Sequence, residues 1–166
     1  MDEEWSVIPE FPNYLISPSG EIFNRKYDMF MRSRPNNFGH FKIALTDDKT
    51  GERYDRSVVK LVAEAFVDRP DELCNQIVVL DGNFANVHAS NLMWRPKAFA
   101  WKYTRQLKQQ QPLPYRNLRV RNIDTNARYP SIVDCGMTEG LLFKEIWRST
   151  YEGTQVYPYG HKYEII

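Results

Sequence analysis

The sequence predicts an α+β fold of short antiparallel strands and a few helices. Three observations carry that expectation. Short runs alternate apolar and polar residues, as in Phe41-Lys42-Ile43-Ala44-Leu45, and turn residues separate them. Residues 57–67 place apolar side chains at 58, 61, 62, 65 and 66, the stripe of an amphipathic helix. Two further helical stretches lie in the second half, beyond Pro96 and beyond Pro130. The 166 residues are 42% hydrophobic and 14% aromatic, enough for one or two small cores and too apolar for a disordered chain.

Taken in order, residues 1–26 hold two apolar runs on either side of Ser17-Pro18-Ser19-Gly20, a hairpin signature. The aromatic residues of so short a piece are expected to form its core. Residues 27–56 hold the strand over 41–45, a turn from Asp47 to Gly51, and a returning strand from Glu52 to Arg56. Arg32, Arg34, Asn36, Asn37 and Lys42 give this sheet a polar face. Arginine can read guanine edges and asparagine adenine edges in a major groove; an ordinary solvated face is the plainer account. Ser57 is suited to cap the helix over 57–67, and Pro70 follows its end.

A strand is expected at 76–80, with Asp81-Gly82 as a tight turn and a polar loop to about residue 90. A short strand through Trp94 follows, then a helix opening at Pro96. That helix interleaves Lys97, Lys102, Arg105 and Lys108 with Phe99, Trp101, Tyr103 and Leu107. Gln109 to Pro114 should extend the chain as a linker, followed by Arg116. Residues 118–123 alternate as a strand carrying Arg119 and Arg121. A helix is expected from Ser131, and a second over 137–148 with Gly140 early in it and Lys144 and Arg148 on it. Helix, glycine-containing turn, helix is a helix-turn-helix signature.

The net charge of +1 conceals an asymmetry. Residues 1–55 carry −3, residues 56–96 carry −1, and residues 97–166 carry +5. From Lys97 to Arg121 there are seven basic residues and no acidic ones, a strip suited to phosphates. Cys74 and Cys135 have no Cys-x-x-Cys partners, which argues against a zinc site or a disulfide framework. Neither a signal peptide nor a membrane span is expected, and the cysteine usage suits a reducing cytoplasm.

Several motifs together resemble the phage-type HNH homing endonucleases. Trp5, Pro9, Tyr14, Ser17 and Gly20 fall in register with the module that precedes the nuclease core. Val58 to Phe66 is similar to that family's Val-His-Arg-Leu-Val-Ala-x-Ala-Phe, with Val59 and Lys60 in place of His and Arg. Gln76 to Asn86, followed by Asn91-Leu92-Met93-Trp94, resembles the core itself. Pro130-Ser131-Ile132 and the aromatic end Tyr157 to Ile165 resemble the C-terminal repeat module. The resemblance implies an antiparallel β module at 1–56, a ββα-metal-like HNH core at 57–108, a linker at 109–116 and a helix-turn-helix DNA-binding module at 117–166. It also implies a long duplex-DNA site read by several modules.

The same resemblance places the general base at Val79, a metal-holding group at Val78 and a third polar group at Ala100. Only Asn91 survives from that catalytic set. Valine and alanine neither accept a proton nor ligate a cation. The expectation is therefore an HNH scaffold without its chemistry and without a cofactor, in which Asn91 ties a loop. It would bind double-stranded DNA as a monomer and act as a repressor or site-occluding regulator, in the host cytoplasm if phage-encoded. One alternative is an active nicking enzyme with a rearranged site using His88 and Asp81 with Mg²⁺ or Mn²⁺. The other is a phage interaction factor that contacts host proteins.

Overall fold

The computed structural model describes residues 4–109 and 113–166. Asp2 and Glu3 of the acidic N-terminus and residues 110–112 of the expected linker lie outside the described residues. The chain divides after Lys97 into two compact units.

In the first unit, turn chemistry sets the strand order. β1 (Ser6–Ile8), β2 (Phe11–Ile16), β3 (Ile22–Asn24) and β4 (Met29–Met31) form an antiparallel meander. The β2–β3 turn closes where the Gly20 N–H donates to the Ser17 carbonyl at 3.0 Å and the Glu21 N–H to Ser17 Oγ at 3.1 Å. Gly20 has φ +84°, and a Cβ there would lie 2.4 Å from Val87 Cγ2, so glycine is required twice over. A second sheet holds β5 (Arg34–Pro35), β6 (Phe41–Thr46) and β7 (Arg53–Ser57). Chain direction then switches at Ser57, whose Oγ accepts from the Lys60 N–H and caps α1 (Val58–Phe66). β8 (Gln76–Val79) and β9 (Leu92–Arg95) form a hairpin.

The expected boundary between residues 1–56 and 57–108 is not a boundary of packing. Ile16, Ile22 and Leu45 from the two sheets, Val62 of α1, and Val79, Leu92 and Trp94 of the hairpin share one core. None of these small layers could bury its apolar face alone. The Trp94 indole N–H donates to the carbonyls of Ala63 and Val67, at 3.3 and 3.2 Å, and so fastens β9 to the last turn of α1.

The second unit starts with α2 (Lys97–Lys108), which begins one residue after Pro96. Its buried stripe is Phe99 and Tyr103, with Leu107 packed on the second core. The Gln106 amide donates to the Leu141 carbonyl at 2.9 Å and accepts from the Phe143 N–H at 2.8 Å. The helix assigned by sequence to the 57–108 module thus packs within the C-terminal unit. β10 (Val120–Asn122), β11 (Arg128–Tyr129) and β12 (Tyr163–Ile165) form an antiparallel sheet in the order β11-β10-β12. The strand expected over 118–123 is regular only over 120–122; beyond it the Ile123 N–H donates to the Lys162 carbonyl and the Arg119 carbonyl accepts from the Ile166 N–H.

Two helices, α3 (Ile132–Glu139) and α4 (Phe143–Glu152), pack on this sheet around Ile132, Cys135, Leu141 and Ile146. Gly140 is not in the second helix, as the sequence suggested. It ends α3 in the left-handed conformation, φ 68°, with its N–H donating to the Gly136 carbonyl. The second helix therefore starts at Phe143 rather than near 137. Gly136 permits the close crossing, since a Cβ there would sit 2.5 Å from the Phe143 ring. Burial pushes the Cys135 thiol well above its ordinary range, so it is inert packing rather than a nucleophile. Among the described residues no helix is long and apolar enough to cross a membrane.

Candidate nucleic-acid interface

The β5–β6–β7 sheet has one face in the core and one outside. Ile43 and Leu45 point inward, and their cross-strand partners Arg56 and Tyr54 lie on the same side. The opposite face carries Lys42, Ala44 and Thr46, paired with Ser57, Asp55 and Arg53, and Arg34 lies across from Lys42. A cleft of about 520 Å³ opens along this face, lined by Arg32, Arg34, Asn36, Lys42, Arg53 and Asp55 among others. Four cations and one carboxylate give it a positive balance. Arg32, Arg34, Asn36 and Lys42 are all expected from the sequence, whereas Arg53 is not. The observed register pairs Arg53 with Thr46, on the face of Lys42, whereas the turn expected over 47–51 would have put residue 52 opposite 46 and Arg53 opposite Leu45, on the core face.

Asn36 has a second task. Its Oδ1 accepts from the N–H groups of Phe38 and His40, at 2.9 and 3.0 Å, and orders the β5–β6 turn. Asn37 is exposed beside it.

The loop over 81–91 is held by a set of hydrogen bonds centred on Asp81 and Asn91. Asn91 is 8% exposed. Its Oδ1 accepts from the Asp81 N–H at 3.1 Å; its Nδ2 donates to Asp81 Oδ1 and to the Asn86 carbonyl, both at 2.9 Å. Asn86 Nδ2 reaches the other Asp81 oxygen at 2.9 Å, and the Asn83 N–H donates to Asp81 Oδ1 at 2.8 Å. Burial alone would push the Asp81 carboxyl up, but these donors outweigh it and hold it below the usual carboxylate range. Asn91 thus ties the loop to the hairpin through these hydrogen bonds.

Val78 and Val79 are 1% and 8% exposed and pair across the hairpin with Met93 and Leu92. Ala100 lies on α2, in the other unit. His88 is exposed, and its Nδ1 accepts from the Ser90 N–H at 3.1 Å and contacts Ser90 Oγ at 2.8 Å, capping the 3₁₀ turn Ala89–Asn91. Among the described residues no three His, Cys, Asp or Glu side chains are grouped to hold a metal ion. The metal that the resemblance implies does not fit the residues present.

The basic residues that the sequence singled out in the second unit fall into two sets. Lys102, Arg105, Lys108, Arg119 and Lys144 belong to its outer surface, with Arg105 lying over the Trp101 ring at 5.0 Å. Arg116, Arg121 and Arg148 are engaged within the unit. Arg116 donates to the Gln109 carbonyl and lies over Phe143; Arg121 pairs with Glu164; Arg148 pairs with Glu145 and Glu152. Lys97 is exposed at the start of α2.

No family profile matches the chain. Over 94 residues, 57% of this chain, it is 32% identical to the uncharacterized HNH endonuclease L245 of Acanthamoeba polyphaga mimivirus. Over 92 residues it is 31% identical to the uncharacterized HNH endonuclease L247 of the same virus. The matched stretches span 27% and 22% of those longer proteins. Among solved structures, that of the HNH homing endonuclease I-HmuI, a protein that binds and cleaves DNA, is similar. It has a TM-score of 0.58 over 98% of both chains at 19% sequence identity, a likeness of fold.

Proposed function

From a chain of the HNH homing endonuclease type, we propose a protein that binds a defined double-stranded DNA site without cutting it and represses or occludes that site. The observation that carries this reading is Val79. The place of the general base holds an apolar side chain, 8% exposed, packed opposite Leu92. Hydrolysis of a phosphodiester needs an acceptor for the proton of the attacking water and oxygen or nitrogen ligands for a cation. Val78, Val79 and Ala100 supply neither, so no hydrolytic step is routed through this site. The one polar survivor, Asn91, is fully used in holding the loop.

Binding would rest on the outer face of β5–β7 and on the outward cations of the second unit. Each surface is small, and joining two in one chain raises the overall affinity through effective concentration. Two different units suit an asymmetric site, so one copy of the chain suffices. Phosphate contacts would position the chain, and Arg32, Arg34 and Asn37 are the side chains suited to base edges.

Selection of bound fragments from random and genomic duplex pools tests this, at roughly 150 mM salt to suppress non-specific phosphate binding. The enriched fragment is then incubated with Mg²⁺ or Mn²⁺. The expected result is a specific fragment that stays intact. A nick lost on His88→Ala would establish the rearranged nuclease instead. No enrichment would refute DNA recognition and favour a protein partner.

A further inference from the structure

Phe38 is 81% exposed, the most exposed of the large hydrophobic residues described. It stands at the tip of the β5–β6 turn, and that turn is closed by hydrogen bonds. The Asn36 N–H donates to the His40 carbonyl at 2.8 Å, and the Gly39 N–H to the Asn36 carbonyl at 3.0 Å. Asn36 Oδ1 accepts from the Phe38 and His40 N–H groups. Gly39 takes φ +81° to close the turn. From behind, the His40 ring packs on Phe84 of the 81–91 loop, with centroids 4.2 Å apart. The strands that lead into and out of this turn carry Arg34 and Lys42, directly paired, on the positive outer face. An aromatic ring left in water forgoes the gain of burial, and nothing in the first unit's core uses this one.

We infer that Phe38 is a wedge that stacks on or between bases of bound duplex DNA and locally unstacks them. The inference rests on the DNA-binding reading above and adds a deformation step and a residue to it. The physical case is the combination of features. The cations bring the turn to the phosphates, and the pre-ordered backbone means that little conformational freedom is lost when the ring inserts. Every base offers a π-face, so one exposed ring suffices without hydrogen-bond readout. Asn36 acts here as a positioning residue.

The test compares an intact duplex of about 30 base pairs with the same duplex carrying a one-base bulge flanked by 2-aminopurine, at roughly 50 mM salt where phosphate binding is strong. A bulge removes part of the unstacking cost, so a wedge prefers it. The full chain should bind the bulged duplex about 5- to 150-fold more tightly than Phe38→Ala does, the range that one base–aromatic stack supplies. It should also raise the 2-aminopurine fluorescence. Phe38→Trp should keep both effects, and Phe38→Ala should leave the thermal midpoint and the salt dependence unchanged. Equal bulge preference and equal fluorescence for the full chain and Phe38→Ala would overturn the wedge while leaving DNA binding intact. No binding to either duplex would overturn the DNA-binding reading and the wedge with it.

Discussion

Replacing Asn91 by alanine removes three hydrogen bonds from a residue that is 8% exposed. Two of them are neutral: the Asp81 N–H to Oδ1 at 3.1 Å, and Nδ2 to the Asn86 carbonyl at 2.9 Å. The third runs from Nδ2 to the Asp81 carboxylate at 2.9 Å. Neutral bonds contribute about 1 kcal/mol each and a bond to a charged group about 2 kcal/mol, so the sum is about 4 kcal/mol. Asp81 faces solvent on its other side, and water can replace part of what it loses. The expected loss is therefore about 2–3 kcal/mol. In a unit of this size that lowers the thermal midpoint by roughly 10–20 °C. Calorimetry on the full chain reads the midpoint, and hydrogen exchange of peptides covering 76–95 locates the loosening. A drop of less than about 5 °C, with exchange unchanged over 76–95, would refute the loop-tie role. Asn91 would then need another reason to stand beside two valines, and a catalytic one would return to consideration.

Two further expectations follow from the same contacts and from the basic face. Asp81 has its folded pKa held below the usual range, so its contribution to loop order is fully present above the ordinary carboxylate value and is lost as pH falls through the depressed one. Amide signals of Asn83 and Asn91 followed by NMR from about pH 6 downward should shift together in that acidic window, and Asp81→Asn should abolish the transition; a transition that persists in Asp81→Asn belongs to another group. For the basic face, Lys42→Gln and Arg53→Gln should each reduce the slope of log affinity against log salt by about 0.9. Arg121→Gln and Arg148→Gln should leave it unchanged, because those guanidiniums are already paired with Glu164 and with Glu145 and Glu152. Equal changes in all four would show that the sheet face is not where phosphates sit.

Local chemistry was legible without coordinates. Ser57 had to cap a helix, Asp81-Gly82 had to turn, and the alternation at 41–45 had to place Lys42 outward, because each depends on a few neighbouring residues. The absence of a base at position 79 was equally legible, since no fold can make a valine accept a proton. What depends on distant partners was not legible. The stripe Phe99, Tyr103 and Leu107 shows that α2 must bury a face, but only packing decides that this face serves the C-terminal unit and not the nuclease-like core. Gly140 fits the inside of a short helix pattern as well as its end until the left-handed φ of 68° is seen. Arg121 looks like any other cation until tertiary pairing with Glu164 engages it. The sequence does not show whether Phe38 is buried; the turn leaves it in water. The sequence by itself determined which groups exist and their local period; the tertiary structure decided which of them remain free, because burial and pairing are set by contacts between residues far apart in the chain.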